Sequence, residues 1–135
     1  MFLIHDALSM IRAIRAQGGM IRIWGFLLNV PQIAGGIVFF YTIEGLIVGV
    51  AALLTLIIAG QIHRREPFSR LTGLCHIPWL VMLPWLVWRL AQFEHGAFQS
   101  GWMTFVATTI FVSLFFDVRD VFMHLRGAKT FDWAK

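Results

Sequence analysis

The sequence predicts an all-α integral membrane four-helix bundle with an N-terminal interfacial amphipathic helix and both termini on the cytoplasmic side. Three observations predict it. Hydrophobic residues make up 59% of the chain and charged ones 13%, against roughly 45–50% and about 25% in soluble domains. Four apolar stretches approach the roughly 20 residues needed to cross about 30 Å of hydrocarbon. The basic residues gather in segments that one threading of those stretches places on a single side.

Taken in order, residues 2–17 set His5, Ser9, Arg12 and Arg15 at helical spacing, opposite Phe2, Leu3, Ile4, Leu8, Met10, Ile11 and Ile14. Such a stripe suits a helix lying among headgroups with its arginines toward anionic lipid. Gly18-Gly19 supplies its stop. Because His5, Asp6, Arg12 and Arg15 interrupt the apolar run that a signal peptide requires, this segment is expected to be retained.

The first span, 23–41, is interrupted only by Asn29, Pro31 and Gln32. A tight Thr42-Ile43-Glu44 connection leads to the second, 45–62, which holds no charged residue and is the clearest transmembrane signal. A basic loop from His63 to Arg70 follows, with a break at Pro67. The third span, 71–90, carries Pro78 and Pro84, each expected to kink the helix by removing a bond to the fourth preceding carbonyl. After a loop from Gln92 to Gly101, the fourth span runs over 102–116 and continues into water as a helical extension, 117–126, stopped by Gly127. All 135 residues form a single membrane domain.

Short cytoplasmic loops collect Lys and Arg. With the N-terminus inside, the inner side holds Arg12, Arg15, Arg22, Arg64, Arg65, Arg70, Arg119, Arg126, Lys129 and Lys135, and the outer side holds Arg89. This bias predicts a multi-pass protein of the plasma (inner) membrane. It excludes the dual-topology small multidrug transporters, whose loops must be nearly balanced. Trp85, Trp88 and Trp102 near the outer span ends and Trp24 near an inner one agree with it, because indole rings favour the headgroup level. The net charge of +4 does not imply nucleic acid, since the basic residues come as ones and twos beside apolar runs. Cys75, the single cysteine, sits in an apolar run and reads as packing.

Few residues are placed to carry chemistry. Asn29 and Gln32 share a helix face inside the first span, where an unpaired amide is costly. They either bond between helices or line a polar pocket. His76 lies in the cytoplasmic half of the third span, and with Asn29, Gln61, His63 and Asp117 it forms a candidate polar cluster at similar depth. Asp117, Asp120 and His124 share one face of the helical extension. They read either as a metal ligand set for Zn²⁺ or Mn²⁺, needing a further ligand such as His5 or His63, or as a solvated face pairing with Arg119, Arg64 or Arg70. Gly45 and Gly49 are a small-xxx-small motif, which serves either packing within the chain or contact with a second copy. Glu44 and Arg89 are expected to pair on the outer surface as an exposed ion pair worth about 0–1 kcal/mol.

No phosphate loop, Cys-x-x-Cys, His-Glu-x-x-His or Gly-x-Ser-x-Gly turn is present in the sequence. No cofactor is expected. His63 sits too near water to serve with His76 as a bis-histidine haem pair. The first expectation for function is a non-enzymatic accessory or assembly subunit, packed in the bilayer against another copy or a different membrane protein. The alternatives are a small oligomeric transporter or channel using Asn29, Gln32 and His76, and a metal-binding membrane protein or enzyme using Asp117, Asp120 and His124.

Overall fold

The computed structural model describes residues 2–131, so Lys135, one of the basic residues of the orientation tally, lies outside the described residues. Helix α1 spans Phe2–Arg15, α2 Gly19–Val38, α3 Ile43–Arg65, α4 Ile77–Gln92 and α5 Ala97–Leu125, with a 3₁₀ segment, Arg70–His76, running straight into α4. Four stretches are long and apolar enough to cross a membrane: α2, α3, the 3₁₀ segment together with α4, and α5. They pack as an up-down-up-down ring in which α2 touches α3 and α5, and α4 touches α3 and α5.

The core follows from which faces are apolar and which are small. Val48 and Ala51 of α3 meet Trp79, Met82 and Leu86 of α4 and Met103, Val106 and Ile110 of α5. Phe40, Leu46, Val81, Phe111 and Phe115 are exposed, large apolar side chains of the kind that a membrane-spanning bundle turns outward. Because lipid is as apolar as leucine, close packing rather than burial from water holds such helices together. Glycine sets the closest approaches. A Cβ on Gly36 would stand 2.7 Å from Gly49 Cα, and one on Gly45 would collide with the Phe39 carbonyl oxygen. The glycine faces of α2 and α3 are therefore pressed against each other.

Each break in the chain has a local cause. Thr42 caps α3 by accepting from the Gly45 N–H at 3.1 Å while its hydroxyl donates to the Phe39 carbonyl at 2.9 Å. Within α2, Pro31 leaves the Leu27 carbonyl without its usual donor. Nearby amides fold back on the same helix, Asn29 to the Gly25 carbonyl at 2.9 Å and Gln32 to the Leu28 carbonyl at 2.7 Å. Trp102 of α5 donates to the Pro31 carbonyl at 2.8 Å and ties the two helices at that turn.

The third span departs from the expected pair of kinks. Only Pro84 lies within a helix interior, while Pro78 occupies the first turn of α4, where a missing N–H costs nothing. The chain upstream takes the tighter 3₁₀ course over Arg70–His76 and enters the α region at Ile77. Helix α5 starts at Ala97, ahead of the expected Trp102, and ends at Leu125. Gly127 then adopts φ +97°, the conformation glycine supplies past a helix end. That turn sends the tail back so that the Phe131 N–H reaches the Phe68 carbonyl and the Arg70 N–H reaches the Lys129 carbonyl.

Helix α1 docks on the bundle rather than standing apart from it. It crosses α3 where Gly60 meets Ala7, a Cβ at Gly60 standing 2.7 Å from the Ala7 nitrogen. Asp6 accepts from Gln61 at 2.9 Å and from Arg64 at 3.2 Å. Met10, Ile11 and Ile14 pack around Ala59 and Cys75, while Phe2, Leu3, Ile4 and Leu8 stay exposed.

Candidate functional site

Toward the end of the bundle where α3 and α5 finish, a cavity of about 650 Å³ opens between α1, α2, α3, the 3₁₀ segment and α5. Its size falls in the range of roughly 300–1,000 Å³ typical of small-molecule sites. The wall is mostly apolar: Met10 and Ile14 from α1, Ile21, Trp24 and Leu28 from α2, Leu56 and Ala59 from α3, and Phe116 from α5. Phe131 of the returning tail and Phe68 of the loop after α3 complete it. Phe68 holds φ 55°, a conformation that costs a side-chain-bearing residue about 1–2 kcal/mol. Its carbonyl bond from Phe131 and the edge-on contact of its ring with His63, centroids 5.0 Å apart, offset that cost.

Polar groups punctuate this wall at defined places. His76, where the 3₁₀ segment ends, stacks flat on Trp79 with ring centroids 3.9 Å apart, and its Nδ1 lies 2.6 Å from Asp117 Oδ2 of α5. Gly73 makes room for the pair, since a Cβ there would stand 2.9 Å from Asp117 Oδ1. In the neutral ring the carboxylate places the proton on Nδ1, which leaves Nε2 as an acceptor. One helical turn further along α5, Asp120 accepts from the buried Arg70 guanidinium at 2.7 Å. Deeper in, Thr55 is 2% exposed, and its hydroxyl has no hydrogen-bond partner among the described residues.

The residues singled out from sequence separate into groups. Asn29 and His76 both line the cavity, as does His63, whereas Gln32 and Gln61 do not. Gln32 is fully buried with its carbonyl oxygen unpartnered, and Gln61 is engaged by Asp6. Asp117, Asp120 and His124 do not converge: the first pairs with His76, the second with Arg70, and His124 Nδ1 sits 3.4 Å from the Lys129 carbonyl. Among the described residues no group of three His, Cys, Asp or Glu is placed to hold a metal ion. Gly45 and Gly49 face α2, as described above.

At the opposite end of the bundle, Glu44 and Arg89 meet, but not as an exposed pair. Glu44 is 3% exposed, because the chain between α4 and α5 folds over it. Arg89 donates from Nε at 2.6 Å, His95 Nε2 lies 3.3 Å away, and Gln99 donates at 3.4 Å.

Thr55, Trp79, His95 and Gln99 were not singled out from the sequence. Thr55 carried the one available signal, as the single hydroxyl in an otherwise apolar span. The other three depend on which helix meets which, and no local pattern encodes that. No family model matches the chain, and neither curated proteins nor solved structures gave a significant match.

Proposed function

We propose that this chain is a multi-pass protein of the plasma (inner) membrane, both termini cytoplasmic, that takes up a small lipophilic molecule in its cavity as a binding or transport protein. The cavity itself carries the reading: a mostly apolar chamber of about 650 Å³ whose wall bears a His–Asp pair, an Arg–Asp pair and the unpartnered hydroxyl of Thr55. Apolar walls with few convergent polar groups are what a lipophilic ligand needs for affinity and orientation. The charge distribution supports the orientation. Among the described residues, Arg12, Arg15, Arg22, Arg64, Arg65, Arg70, Arg119, Arg126 and Lys129 belong to the cavity end, and Arg89 to the other, which the positive-inside rule assigns to the cytoplasm. The exposed Phe2, Leu3, Ile4 and Leu8 of α1 then meet the headgroup region.

An accessory subunit assembled against another copy or a different membrane protein drew part of its motivation from the glycine faces, beside the short loops, the amphipathic α1 and the lack of a catalytic motif. Those faces are in contact with each other inside the chain, so they lend that alternative no support.

Gly25 offers a direct test. It lines the cavity, and a Cβ there would meet nothing within 4 Å, so Gly25→Phe adds a bulky ring at the cavity wall from a position whose Cβ is unobstructed. Native mass spectrometry of protein extracted from membranes is expected to show a lipophilic adduct on the wild type that is lost from Gly25→Phe and kept by Gly25→Ala. Identical spectra for all three would contradict the reading.

A further inference from the structure

We infer that the cavity selects a lipid-soluble molecule bearing a hydroxyl group, a phenol-like head on an apolar body, which donates to His76 Nε2 and meets the Thr55 hydroxyl. This rests on the cavity reading above and deepens it. Two independent observations carry it.

The first is the state of His76. Its Nδ1 is committed to Asp117 at 2.6 Å, so in the neutral ring Nε2 is an acceptor. No bond from Nε2 to another described residue forms, and His76 lines the chamber. An acceptor in an apolar wall favours a ligand that brings a donor, and a hydroxyl is the uncharged group that brings one.

The second is Thr55. A threonine in a membrane helix ordinarily turns its hydroxyl back to a carbonyl one turn earlier, as Thr104 and Thr108 do here, each at 2.8 Å. Thr55 does not, although it is 2% exposed and lines the same chamber. A buried hydroxyl without a partner keeps its full desolvation penalty, and a ligand oxygen relieves it. Thr55 both donates and accepts, so in this proposal it meets the oxygen of the ligand hydroxyl that donates to His76. Asp117 is engaged by His76 Nδ1 and Arg70 is bonded to Asp120, so neither offers an uncommitted charge to an ionised head, and Arg119, the other cation of the lining, is exposed.

The test uses three probes of matched body on the purified full chain in detergent: para-butylphenol, para-butylanisole and butylbenzene. Their affinities are measured by titration calorimetry, with Gly25→Phe as the blocked-cavity reference. The phenol is expected to bind roughly tenfold more tightly than the other two. Thr55→Val and His76→Phe are each expected to erase that preference, whereas Thr55→Ser retains it. Thr55→Val also removes an unpartnered polar group, so its melting temperature without ligand is expected to equal or exceed that of the wild type. Equal binding of all three probes, abolished by Gly25→Phe, would overturn the hydroxyl selection and leave the cavity reading intact. Binding that ignores Gly25→Phe, or no binding at all, would overturn both.

Discussion

Glu44 depends on Arg89 more than on any other side chain. A carboxylate 3% exposed is tolerable only while donors surround it, and Arg89 supplies the closest ones, with His95 and Gln99 behind it. Arg89→Leu is therefore expected to destabilise the bundle by about 2–4 kcal/mol, because a buried charge loses its counter-ion. Unfolding by SDS titration measures this. Adding Glu44→Gln to the same chain should recover more than half of the loss, since the orphaned charge is then gone. No recovery would mean that the arginine acts through packing on Phe93, over whose ring its guanidinium lies at 3.8 Å. The pairing of Glu44 with Arg89 was legible in sequence from span lengths alone. Its burial was not, because that depends on how residues 93–96 turn.

At the scale of elements, helix crossings divide the glycines into those that cannot accept a side chain and those that can. Gly45→Ala drives a Cβ into the Phe39 backbone, which has no flexible end to yield, and a loss of about 2 kcal/mol or more is expected from such a clash. Gly25→Ala meets only open space, so it should be neutral or gain about 0.5–1 kcal/mol from helix propensity. Equal effects of the two in the same SDS assay would contradict the α2–α3 crossing.

Helix α1 carries a pH dependence of its own. The hydrogen bond from Gln61, then Arg64, holds the Asp6 carboxyl below its ordinary value of 3.8. A carboxylate favoured in the folded state stabilises docking above its unfolded-state value, and that contribution is lost as pH falls through the lowered folded value. Amide exchange across residues 2–15, relative to α3, is expected to stay constant from neutral pH down to about pH 5 and to rise below about pH 4. Asp6→Asn should flatten the curve. An amphipathic α1 was readable from its stripe, but its seat on Gly60 was not, because a glycine in an apolar span does not declare which backbone it admits.

Across the whole molecule, the four apolar stretches and the boundaries between them were legible because hydrophobic length and turn chemistry are local properties. Ends shifted by a few residues, at Thr42 where its side chain caps α3 and at Ala97 where α5 begins without a side-chain cap. The His76–Asp117 pair was partly legible, since both residues had been placed at similar depth. The cavity was not, for it arises from seven separate segments, the loop of Phe68 and the tail of Phe131 included, and its orphaned Thr55 becomes visible only once the neighbours are in place.

The account stands on a bundle that spans the membrane with the cavity end toward the cytoplasm. Labelling of single cysteines with a membrane-impermeant maleimide on intact cells tests this most directly, in a Cys75→Ala background. A cysteine replacing Glu94 is expected to react from outside, and one replacing Lys129 only after permeabilisation. The reverse pattern, or equal labelling of both positions in intact cells, would contradict it.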